Sequence, residues 1–161
     1  MSLPPYRPLL SLKKEDMTPF ELCILRTIYQ AACISFDKER ECSFLMDEHG
    51  HLISHCVGGF YSTNAYNFRA PWYSRHVIRK HRLGSRCDSR LELVAIHTHP
   101  DIFPASEADF GILENRQGHT CFNGRARRVH IICWPGLLYT YEWRADKKRF
   151  GTYEAIPEPH V

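Results

Sequence analysis

The chain has 161 residues, 43% of them hydrophobic and 24% charged, with a formal net charge of +3 at pH 7. Those fractions exclude a disordered polymer and describe one globular domain long enough to bury a core. No apolar stretch reaches transmembrane length, and residues 1–8 carry no hydrophobic run of signal-peptide length, so no membrane partner is expected and the expected location is cytoplasmic.

Residues 1–17 read as an irregular lead-in, rich in proline and ending in a charged run. Thr18-Pro19-Phe20-Glu21 then opens a helix, with a threonine cap, proline in the first position and glutamate in the third. Phe20, Cys23, Ile24, Ile28 and Ala31 recur at helical spacing, so this helix is expected over 19–33 with one face buried. Residues 41–46 have strand composition, 47–50 (Asp-Glu-His-Gly) form a turn, and 51–57 read as the returning strand of a hairpin. A second helix is expected over 71–82, a strand over 91–99, a loop over 100–105 and a third helix over 106–117. Residues 118–128 form a polar connection, followed by a second hairpin of 129–134 and 137–143 around Pro135-Gly136. The order implies an α/β fold with a mixed sheet flanked by helices: one domain over 18–150 and a tail over 151–161.

Seven cysteines, an odd number with no C-x-x-C pair, lie mostly in apolar runs and read as small buried hydrophobes. Basic residues cluster at Arg75, His76, Arg79, Lys80, His81, Arg82, Arg86 and Arg90, and again at Arg125, Arg127 and Arg128. Such clusters are either a solvated face or a docking surface for an acidic partner or a nucleic-acid backbone. His49, His51 and His55 flank a turn without a carboxylate at matching spacing and read as surface residues.

His97-Thr98-His99-Pro100, followed by Ser106-Glu107-Ala108-Asp109, concentrates the chemistry. On a strand, side chains two apart share a face, so His97 and His99 project together as paired nitrogen ligands. Asp109 can supply an oxygen ligand, although an acidic residue three beyond Ser106 is also ordinary helix-capping chemistry. Three protein ligands leave one position of a tetrahedral zinc open, the catalytic arrangement. A histidine-triad hydrolase needs a further alternating histidine where Asp101 stands, and a cupin needs a glutamate near Phe103 or Pro104.

These residues resemble the signature of the JAMM (MPN/JAB-type) metallopeptidases: His-x-His-Pro, a loop, then Ser-x-x-Asp, with a glutamate from an earlier strand. The loop from Pro100 to Ala105 is one residue shorter than the common family spacing. The resemblance implies an MPN-like (cytidine-deaminase-like) domain holding Zn2+ through His97, His99 and Asp109, with Ser106 steadying an oxyanion. It implies a glutamate as general acid and base. Glu41, which leads the first strand of the hairpin, is favoured over Glu39, while Glu48 sits in the turn. The activity implied is hydrolysis of an amide or isopeptide bond at the tail of a ubiquitin-like or sulfur-carrier protein. The alternative is a non-catalytic MPN-like module that binds a protein or nucleic acid through its basic clusters.

Overall fold

The computed structural model describes residues 3–58, 93–102, 126–142 and 150–155. They form one helix, α1 (Pro19–Lys38), and six strands: β1 (Cys42–Asp47), β2 (Leu52–Val57), β3 (Leu93–His99), β4 (Ala126–Cys133), β5 (Leu137–Glu142) and β6 (Phe150–Ala155). The strands make a single sheet in the order β2-β1-β3-β4-β5-β6. The β3–β4 pair is parallel and every other pair antiparallel, so the domain is α/β with a mixed sheet. The expected helices over 71–82 and 106–117 lie outside the described residues.

Helix α1 starts as its sequence dictates. Thr18 accepts a hydrogen bond from the Glu21 N–H while the Glu21 carboxylate accepts from the Thr18 N–H, a reciprocal capping box. Arg7 adds a bidentate pair to the same carboxylate, which with the cap donors holds the Glu21 carboxyl down at about 2. The helix outruns the expected end at 33. Ala32 and Ser35 stay buried against the sheet, and the chain turns only at Glu39, whose φ of 54° is left-handed.

Strand alternation sorts the sheet into two faces. Cys42, Phe44, Met46, Val94, Ile96, Ile132 and Leu138 pack against Ile24, Ile28, Ala31 and Ala32 of α1. Complete burial of Ile24 and Ile28 alone stabilises by about 3–6 kcal/mol in total. The opposite face carries Leu45, Leu93, Ala95, Val129 and Ile131, all fully buried as well. Apolar residues on both faces explain why β1 and β3 read as continuous hydrophobic runs rather than alternating ones.

Three features of the structure extend or revise the sequence reading. Part of the 1–17 lead-in is integral to the fold. Leu9 is buried, Leu3, Tyr6 and Leu10 pack on the core, and two short 3-10 turns occupy Leu9–Ser11 and Lys14–Asp16. Residues 150–155, placed mostly in the tail, form edge strand β6, because β5 leaves a row of backbone groups that a neighbouring strand can pair. Arg128 is neither a solvated nor a docking residue. It is buried on β4, paired with Glu142, bonded to the Pro4 carbonyl and stacked under Tyr6, a set of partners that offsets the cost of burying its charge. The basic cluster at 75–90 and Arg125 lie outside the described residues.

The hairpin turn is built as its composition implies. The Asp47 Oδ1 accepts from the N–H groups of His49 and His51, both at 2.9 Å, and Gly50 takes a φ of 85° that other residues resist. His49, His51 and His55 are exposed. Among the cysteines, Cys42 and Cys133 are buried as expected, Cys23 is partly buried, and Cys33 is exposed.

Candidate metal centre

The β1–β3 register places Ser43 directly opposite His97, and continuing that register by two residues brings Glu41 opposite His99. Cross-strand neighbours share a face, so Glu41, Ser43, His97 and His99 gather on the side of the sheet turned away from α1. Both histidines sit at the carboxyl end of β3, beside its parallel partner β4, where α/β sheets place their ligand sites.

The three acid-base side chains converge. The Glu41 Oε2 lies 3.6 Å from the His97 Nε2, and the Glu41 Oε1 lies 3.9 Å from the His99 Nε2. One ligand atom from each falls within 4.8 Å of the others, and all three residues are buried at 6–7% exposure. Two donors each about 2.1 Å from a tetrahedral zinc stand about 3.4 Å apart. The two separations from Glu41 are close to that edge, and two imidazoles with a carboxylate suit a borderline divalent metal. Glu41, His97 and His99 therefore form a group that could hold a metal ion.

The backbone around Glu41 is pinned on every side. On the helix side, the Ser35 hydroxyl donates to the Arg40 carbonyl at 2.5 Å, and the Arg40 N–H donates back to the Ser35 carbonyl at 3.2 Å. On the β2 side, the Gly58 N–H donates to the Glu41 carbonyl at 2.8 Å. On the β3 side, the Cys42 N–H donates to the Thr98 hydroxyl at 2.7 Å. Thr98, the central residue of His-x-His, thus faces α1 and ties the start of β1 to the histidine strand. Glu39 is exposed at the helix end, and Glu48 lies in the hairpin turn.

His97 has a second anchor: its Nδ1 lies 2.8 Å from the hydroxyl of fully buried Ser43. The His97 and His99 rings meet edge to face, 4.9 Å between centroids. The Trp134 N–H donates to the carbonyls of His99 and Asp101, which holds the chain as it leaves β3. Cys133, level with His99 on β4, is buried, and burial followed by the Asp101 charge pushes its thiol up to about 11.

The sequence reading thus brought Glu41, His97 and His99 forward, and the fold assembles them; Ser106 and Asp109 lie outside the described residues. It did not identify Thr98 as a tie or Ser43 as a partner of His97. Each contact depends on the β1–β3 register, for which the chain carries no local signal. Among the described residues no helix is long and apolar enough to cross a membrane. Compared with known family models, curated proteins and solved structures, the chain finds no match in any of the three.

Proposed function

We propose that the protein is a JAMM-type zinc metallopeptidase with an MPN-like domain. Its substrate would be an amide or isopeptide bond at the C-terminal tail of a ubiquitin-like or sulfur-carrier protein. The observation that carries this reading is the buried Glu41 carboxylate standing against the Nε2 atoms of both motif histidines. Burying an ionised carboxylate is costly, and a core with only a packing role favours an apolar side chain at such a position. The order of helix, hairpin and His-x-His strand supports the same reading.

In this reading His97 and His99 hold the metal together with Asp109. Zinc, when bound, polarises the scissile carbonyl and acidifies water. Glu41 takes the proton of the attacking water and delivers it to the leaving nitrogen, a role suited to a carboxylate held rigidly within reach of the site. Ser106 donates a hydrogen bond to the developing oxyanion.

The test is zinc content together with cleavage of a panel of ubiquitin-like and sulfur-carrier fusions, with and without a chelator. Wild type is expected to hold stoichiometric zinc and to lose cleavage with the chelator. Glu41→Gln should keep zinc and lose cleavage, and His97→Ala/His99→Ala should lose both. Zinc retained by the double-histidine variant, or cleavage indifferent to chelation, overturns the reading. Zinc without cleavage of any fusion leaves the non-catalytic binding module instead.

A further inference from the structure

Ser43 offers the site a hydroxyl where a hydrophobic core would offer a methyl. It is fully buried in the middle of the sheet, directly opposite His97, with its Oγ 2.8 Å from the Nδ1 of that ring. The other ring nitrogen, Nε2, faces the Glu41 carboxylate at 3.6 Å. A neutral imidazole carries a single N–H, so the proton is on one nitrogen or the other. With the proton on Nε2, toward the Glu41 carboxylate, Nδ1 accepts from Ser43. With a cation on Nε2 the requirement reverses: Nδ1 must carry the proton and Ser43 must accept it.

A carbonyl or carboxylate at position 43 would serve only the second arrangement, and an ammonium only the first. A hydroxyl rotates and serves both, donating through its hydrogen or accepting through a lone pair. We propose that Ser43 is a positioning residue that carries His97 through a change of tautomer when the site takes a metal. This rests on reading His97 as a metal ligand through Nε2. The proton balance is simple: one proton leaves Nε2 and one arrives at Nδ1, so the change of tautomer leaves the charge of the ring unaltered. The Ser43 hydroxyl turns by rotation alone, and the ring keeps its orientation.

The experiment uses the full chain labelled with 15N at histidine, with long-range 1H–15N spectra recorded free of metal and after addition of zinc. Zinc affinity is measured in parallel by competition with a chromophoric chelator. His97 is expected to show the Nε2–H form without metal and the Nδ1–H form with zinc. Ser43→Ala should retain zinc stoichiometry but bind about 10–100-fold more weakly, the usual effect of removing an outer partner of a ligand. Ser43→Thr, which restores the hydroxyl, should recover the affinity.

An unchanged His97 tautomer on zinc addition, or wild-type affinity in Ser43→Ala, overturns the proposal while leaving the metal reading intact. Absence of zinc binding by wild type overturns both. If Ser43→Ala does not fold, the wild-type spectra alone decide, since the tautomer change needs no variant.

Discussion

Acidification from pH 7 to pH 5 should weaken this fold through His130. Its ring is fully buried between β4 and the N-terminal segment, with Nδ1 2.8 Å from the Thr140 hydroxyl, Tyr6 5.6 Å away and Arg128 on the same strand. The Nε2 has no hydrogen-bond partner among the described residues. Burial first, and the Arg128 charge second, hold its pKa well below the ordinary value of 6.5. The unfolded chain therefore takes up a proton near 6.5 that the folded chain refuses. Stability is complete above that pH and is lost as pH falls below it, at up to about 1.4 kcal/mol per unit. Integrating from pH 7 to pH 5, with the folded group still neutral, gives a loss of about 2 kcal/mol. Urea unfolding in the presence of a chelator would measure it in wild type and in His130→Leu/Thr140→Val, which removes both partners of that hydrogen bond, while the Tyr6 hydroxyl, which also bonds Thr140, keeps its bond to Glu154. Subtracting the variant's pH dependence from that of wild type cancels the other titrating groups. A difference of about 2 kcal/mol is expected over this range. Parallel losses in the two proteins would show that His130 does not resist protonation and that the reasoning is wrong.

Thr98→Val keeps the side-chain shape but removes the hydroxyl that accepts from the buried Cys42 N–H, so it should cost about 1–3 kcal/mol in urea unfolding and slow cleavage as Glu41 loses its tie. An unchanged midpoint would remove Thr98 from that role. Gly50→Ala forces a side chain into a φ of 85° with its Cβ 3.1 Å from that of Cys23, at a cost of about 1–2 kcal/mol. The expected melting-temperature drop is at least about 2 °C, and an unaltered melting curve would contradict the left-handed turn.

The features legible in the chain are those in which neighbours act on neighbours. Thr18, Pro19 and Glu21 announce the start of α1 because a capping box closes over three residues. Asp47 and Gly50 announce the hairpin because the turn is made by hydrogen bonds within four residues. The spacing of His97 and His99 puts both on one face because strand side chains alternate, whatever the strand pairs with. Glu41 was also within reach as a candidate, but composition alone left Glu39 beside it. Burial separates the two: Glu41 lies inside, and Glu39 is exposed.

What remained hidden depends on register between distant segments. Fifty-four positions separate Ser43 from His97, and 56 separate Cys42 from Thr98. Charge patterning set Arg128 in a basic surface cluster, whereas Glu142 and the Pro4 carbonyl, from two remote segments, let it be buried. The sequence by itself determined which side chains of the His-x-His strand point together and which elements could form around it, because those follow from backbone geometry over a few residues. Only the tertiary structure decided that β3 would lie between β1 and β4, with Glu41 against both imidazoles and Ser43 behind one of them. A strand's hydrogen-bonding edge is nearly the same along its length, and its partner and register are chosen by packing across the whole core.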